Sequence, residues 1–175
     1  EPVLMPDFAF VNELDEGFTQ KDLQDVWTLV MFGFLSCPDV CPFTLGNLEA
    51  AVAETGMRVR PENVPKVVFI SVDPDRDAAW ISEYAKFFHP DFESYTGERD
   101  QINALVEATD SFYRLMEPDA DGYYEVQHTS SVSVIAPDGT IAYRQVGPIT
   151  QEILQDILLP IVRDLKTKTV KGTMP

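Results

Sequence analysis

Trp27-Thr-Leu-Val-Met-Phe-Gly-Phe-Leu-Ser-Cys37-Pro-Asp-Val-Cys41-Pro42 runs from Trp27 to Leu35 without a charged side chain and closes on two cysteines flanked by prolines. A continuous apolar run of strand length is how a strand buried on both faces of a sheet reads. After Pro42, a good first helical residue, Leu45, Leu48, Ala51 and Val52 recur at helical spacing, and Gly56 is a plausible stop. The order is therefore strand, cysteine loop, helix. In an open α/β sheet, ligands collect at the carboxyl ends of strands, so the cysteine pair occupies a place that favours function.

Working outward, Lys66-Val-Val-Phe-Ile-Ser-Val72 reads as a second buried strand. Asp77 to Phe87 follows with Trp80, Ile81, Tyr84, Phe87 and Phe88 on a helical pattern, and this aromatic set is read as core rather than as a docking face. Asp100 to Thr109 predicts a shorter helix with Ile102, Leu105 and Val106 on one side. A polar turn spans Pro118 to Gly122, and Tyr123 to Val126 could form a hairpin strand. Ser131 to Ile135 and Thr140 to Arg144 flank Pro137-Asp-Gly139, a strong hairpin turn, before a closing amphipathic helix from Thr150 to Leu165. Alternating strands and helices followed by an antiparallel hairpin describe an α/β sandwich.

At 175 residues and 45% hydrophobic content, the chain suits one compact domain that needs no disulfide help. No repeat, low-complexity tract or linker divides it. The expectation is a single domain over residues 1–175, with a loose tail from Lys166 to Pro175. A formal charge of -16 would repel a phosphate backbone or an anionic membrane surface, which argues against nucleic acid as a partner. No apolar run of transmembrane length occurs, and the start of the chain does not resemble a signal segment. Because the chain starts at Glu1, the loss of an upstream signal or anchor is compatible with it.

Only two cysteines are present, too few for a disulfide scaffold and too close in sequence to close a long loop, so their value is chemical. Both lie near a helix N-terminus, where unpaired N–H groups and the macrodipole favour the thiolate. Burial as small hydrophobes is the plainer alternative. The sequence motif differs from the two-residue spacing of thioredoxin redox motifs by one extra residue. Three intervening residues still let the sulfurs approach one another, and also let them open toward a shared ion with a third ligand.

Phe32-Gly-Phe-Leu-Ser-Cys-Pro-Asp-Val-Cys-Pro42, Ser71-Val-Asp-Pro-Asp-Arg-Asp77 and His128-Thr-Ser-Ser-Val-Ser-Val-Ile-Ala-Pro-Asp-Gly139 together resemble, in that order, the three signatures of the Sco/SenC family. The resemblance covers most of the chain. It implies a thioredoxin-like three-layer sandwich with a central mixed sheet and an added hairpin. It further implies one copper ion, Cu(I) or Cu(II), bound by Cys37, Cys41 and His128. The implied role is delivery of copper to the dinuclear copper centre of cytochrome c oxidase, or reduction of that centre's thiols. The implied partner is the copper-receiving oxidase subunit or another copper chaperone. A membrane tether is implied too, with the bacterial periplasm or the mitochondrial intermembrane space as the compartment.

The donor chemistry agrees independently. Thiolates are soft and select Cu(I), imidazole suits either copper state, and two sulfurs with one nitrogen leave zinc's usual four-coordinate shell incomplete. Two thiolates and a neutral imidazole carry -2, so the site would be -1 with Cu(I) and neutral with Cu(II). A thiol-disulfide oxidoreductase is the alternative, with Cys37, the more exposed cysteine, attacking and Cys41 resolving.

Other candidates carry less. His89 could supply a fourth ligand for structural zinc, but capping the end of the Trp80 helix is its ordinary reading. Asp73 and Asp77 are expected to cap the next helix while Arg76 pairs with a carboxylate. Asp73 is also a candidate for orienting His128 or tuning the metal. Met5, Met31, Met57, Met116 and Met174 are scattered and read as packing residues. No phosphate loop, Ser-His-Asp set or paired catalytic carboxylates in a supporting context appears.

Overall fold

A computed structural model describes residues 3–37, 40–147 and 149–160. In chain order the first pair of strands, β1 (Ala9–Val11) and β2 (Gly17–Thr19), forms an antiparallel hairpin. Then follow β3 (Thr28–Gly33), α1 (Val40–Gly56), β4 (Lys66–Ser71), the single-turn α2 (Pro74–Asp77), α3 (Ile81–Lys86), β5 (Glu93–Tyr95) and α4 (Arg99–Ala108). The chain continues through β6 (Tyr113–Leu115), β7 (Val126–His128), β8 (Ser131–Ile135) and β9 (Ile141–Val146). A last helix, α5, covers residues 151–160.

Five of the strands make the central sheet, in the order β5-β4-β3-β8-β9. β3 lies at its centre. It pairs in parallel with β4, from Thr28 opposite Lys66 to Gly33 opposite Ser71, and antiparallel with β8, from Thr28 opposite Ile135 to Met31 opposite Val132. All six residues of β3 are buried, which is why its sequence shows no polar alternation. A parallel neighbour demands a crossover, and α1 supplies it, burying Leu45, Leu48 and Ala51 completely. Gly139, at a φ of +84, makes the turn between β8 and β9 in a conformation that favours glycine. At the far end, Asn47 of α1 accepts the Gln151 amide at the start of α5, whose Leu154 and Leu158 face the core.

Several expectations are corrected. α1 begins at Val40, so Pro42 is its third residue; it remains in the first turn, where its missing N–H costs no helical bond. The helix expected over Asp77 to Phe87 is two short helices. The break follows Asp77, whose carboxylate is drawn inside to accept the Leu35 amide (2.9 Å) and the Ser71 hydroxyl (2.5 Å). The aromatic set divides accordingly. Tyr84 and Phe88 pack against the core, whereas Trp80 and Phe87 are 74% and 86% exposed. The strand expected at Tyr123 to Val126 is displaced to Val126–His128, and its partner β6 was not foreseen. β9 starts one residue after Thr140 and ends two after Arg144. Met5 and Met31 are buried and Met116 half-buried, but Met57 is exposed and packs against nothing that would bury it. Residues 161–165 of the expected closing helix, the tail 166–175 and Met174 lie outside the described residues.

Candidate metal centre

The two cysteines stand where β3 leaves the sheet. The Leu35 amide is held by Asp77, and the Cys37 amide donates to the Phe34 carbonyl at 3.1 Å, closing a turn that points Cys37 toward the start of α1. Cys41, the second residue of α1, is fully buried, and its amide donates to the Cys37 sulfur at 3.5 Å. Pro38 and Asp39 lie outside the described residues. Neither cysteine is in a disulfide. Gly33 makes room for this arrangement, because a β-carbon there would run into the Cys41 sulfur and would meet the Phe69 ring at 2.8 Å.

The third donor comes from a different sheet. His128 ends β7, and its Nε2 lies 3.6 Å from the Cys41 sulfur. Its Nδ1 is 3.1 Å from the Thr129 carbonyl, an acceptor, which assigns the proton to Nδ1 and leaves the Nε2 lone pair facing the sulfurs. The Phe34 ring meets the imidazole edge-on, with centroids 5.8 Å apart and planes at 89°, and fixes its tilt. The ligating atoms of Cys37, Cys41 and His128 all lie within 4.8 Å of one another. Two metal–ligand bonds of the usual length span at most about 4.6 Å, so a small contraction would bring all three onto one ion.

The sequence-based expectation that both thiols ionise easily does not hold for Cys41. The Cys37 sulfur hydrogen-bonded beside it, and then burial, push the Cys41 thiol far above the ordinary thiol range. The helix-end N–H that was to favour a thiolate is the Cys41 amide itself, and it serves Cys37. The Cys37 sulfur thus accepts the helix-end N–H, while the buried Cys41 holds its proton. A soft cation would have to displace that proton.

The surrounding candidates resolve as follows. His89 accepts the Asp91 amide at 3.1 Å and packs on Phe92; it is not among the three clustered donors, the one such group among the described residues. Arg76 does pair with a carboxylate, that of Asp73, at 2.5 Å. Asp73 occupies the N-cap position of α2, but its side chain makes no cap bond, and Asp77 lies inside that helix rather than at its cap. Asp73 does not reach His128 either, since its two oxygens take the Tyr124 hydroxyl (2.9 and 3.0 Å) and Arg76. The imidazole is oriented by the Thr129 carbonyl instead, a backbone group that residue type does not reveal. Gly33 was legible in principle, because a lone glycine inside an apolar strand marks close approach by another group.

A central mixed sheet, a dithiol at a strand-to-helix turn and a distant imidazole converging on it define a thioredoxin-like protein with a soft, three-donor site. The sequence matches the SCO1/SenC family over residues 1–158, and the chain belongs to that family. It is 36% identical over 141 residues to the human mitochondrial protein SCO1 homolog, covering 79% of this chain and 46% of that protein, so it spans less than half of that relative's length. The crystal structure of Arabidopsis thaliana ScoI with copper bound superimposes with a TM-score of 0.79 at 28% identity, over 94% of this chain and 99% of that one. The crystal structure of yeast Sco1 with copper bound has a TM-score of 0.82 at 22% identity, covering 99% and 96% of the two chains, and shares the fold.

Proposed function

We propose that this protein is a copper carrier, in which the Cys37 and Cys41 thiolates and Nε2 of His128 hold one copper ion for hand-over to a partner. The observation that carries the reading is the convergence of two sulfurs and a correctly oriented imidazole nitrogen within 4.8 Å. Copper is the natural cargo for that donor set, being soft enough for two thiolates and content with few ligands. The family suggests the destination: the copper-receiving subunit of cytochrome c oxidase, whose dinuclear copper centre must be assembled, or another copper chaperone. Among the described residues no helix is long and apolar enough to cross a membrane. An extracytoplasmic location, with a tether outside residues 1–175 and these residues folding as one domain, completes the proposal.

To test it, reduced protein is titrated with Cu(I) and Cu(II), and the titration is repeated with His128→Ala. One ion per chain is expected, with a sulfur-to-Cu(II) charge-transfer band that shifts in the variant and a clearly weaker affinity. An unchanged affinity would remove the histidine from the site.

A second reading, thiol-disulfide exchange, is favoured by the asymmetry between the cysteines. Cys37 receives an amide hydrogen bond and is 8% exposed, whereas Cys41 is wholly buried and holds its proton. The Cys37 thiolate would attack a partner disulfide. Cys41 would then displace the partner's remaining sulfur, leaving Cys37 and Cys41 bridged and the partner reduced by two electrons. Turnover of a mixed-disulfide substrate supports this reading; absence of reaction alongside tight copper binding discards it.

A further inference from the structure

The three donors are divided between two bodies. Cys37 and Cys41 belong to the turn between β3 and α1 of the five-stranded sheet, whereas His128 ends a separate two-stranded hairpin, β6–β7. That hairpin is small. Each strand has three residues, and Val126 is the one side chain of the two strands that is buried. A ribbon of this size is marginal in water by itself, so its docking against the body of the protein is what keeps it formed.

Two arginine–tyrosine pairs dock it. Arg76 of α2 donates through Nη1 to the Tyr124 carbonyl at 2.8 Å, and its guanidinium lies 3.7 Å from the centre of the Tyr124 ring. Asp73 fixes both partners, taking Nε of Arg76 and the hydroxyl of Tyr124. Arg99 of α4 donates through Nη1 to the Val72 carbonyl (3.0 Å) and to the Tyr113 hydroxyl (3.2 Å). Tyr113 is the residue paired with His128 across the hairpin, and Tyr124 lies just ahead of β7. One arginine thus holds each strand, and both are anchored at the carboxyl end of β4. The Val72 amide donates in turn to the carbonyl of Gly33, the residue under the Cys41 sulfur.

We infer that Arg76 and Arg99 are positioning residues for the histidine ligand, holding the hairpin as an arm against the sheet and so setting how long His128 stays with the two sulfurs. The arm joins β8 only through Thr129 and Ser130, a tether that spans at most about 7 Å. Its release withdraws the imidazole by a few ångströms and leaves β3 and β4 in place. An ion left on two sulfurs is open to an incoming donor. The inference rests on the three-donor reading above.

Arg76→Met removes the charge and keeps an unbranched stem; Tyr124→Phe removes only a hydroxyl and serves if the first variant fails to fold. In metal-free protein, exchange of the Met116 and Thr129 amides, which donate across the hairpin to Glu125 and Phe112, is expected to quicken while β3 and β4 amides keep their rates. Escape of Cu(I) to a chelator is expected to quicken about tenfold in Arg76→Met, and not at all when the same change is made in His128→Ala protein. Unchanged exchange at Met116 and Thr129 overturns the arm whatever copper does. Equal acceleration of copper escape with and without His128 also overturns it, because Arg76 would then support the fold rather than the ligand. If His128→Ala binds copper as the parent does, the three-donor reading fails, and the exchange measurement still decides the arm.

Discussion

Gly33 lies so close to Cys41 that a β-carbon at position 33 would stand 2.5 Å from the Cys41 sulfur. Real atoms do not approach so nearly, and the Phe69 ring closes the other side, so neither neighbour can yield cheaply. The central strand of the sheet and the first turn of α1 are therefore fitted to one another through a missing side chain.

Gly33→Ala is expected to destabilise the reduced, metal-free protein by about 1–3 kcal/mol, the usual cost of overpacking a tight interior. Chemical denaturation with an unchanged slope checks it. Wild-type stability in the variant would mean that Cys41 and Phe69 are freer to move than their burial implies.

Asp77 predicts a pH dependence. Burial raises its carboxyl above the ordinary range, against the lowering effect of the Ser71 and Leu35 hydrogen bonds. A folded-state value above the unfolded one means that its contribution to stability is complete below the unfolded value, about 3.9, and is lost as pH rises through the raised value. Asn accepts the same two hydrogen bonds and does not ionise. Asp77→Asn is therefore expected to gain on the parent as pH rises from 4 toward neutrality, with the difference levelling off above the raised value. Parallel stability curves for the two proteins across that range would refute the assignment.

The two thiols are expected to differ in reactivity. Cys37 has the Cys41 amide as donor and retains some exposure, while Cys41 is buried and holds its proton. Brief alkylation of reduced, metal-free protein at neutral pH is expected to label Cys37 about tenfold faster or more, since the thiolate is the nucleophile. Peptide mass mapping over time reads this directly, and equal labelling would contradict the asymmetry.

What the sequence revealed and what it hid follow one physical division. β3 and β4 are legible because strands covered on both faces need apolar residues throughout, and the cysteines are legible because they punctuate such a run. The break between α2 and α3 is not legible. Trp80, Tyr84, Phe87 and Phe88 mimic a buried helical stripe, and what interrupts it is the pull of the Leu35 amide and Ser71 hydroxyl on Asp77, Leu35 lying 42 residues away in sequence. β6 and β7 are too short to show a period of two. His128 was reached through a family resemblance rather than through any local pattern. Its Thr129 carbonyl partner, its Phe34 neighbour and the two arginines that dock its hairpin are products of tertiary packing.

The connection between β7 and β8 bears on how such a chain can vary in length. The exposed turn from Glu117 to Gly122 can gain or lose residues at the hairpin's outer end without altering which way His128 faces. Thr129 and Ser130 have no such latitude. Successive side chains of a strand point to opposite faces, so a single insertion there, taken up as a one-residue slip in β7, would put Thr129 or the inserted residue in the place of His128 and turn the imidazole to solvent. Insertions are thus tolerable on one side of the histidine and ruinous on the other.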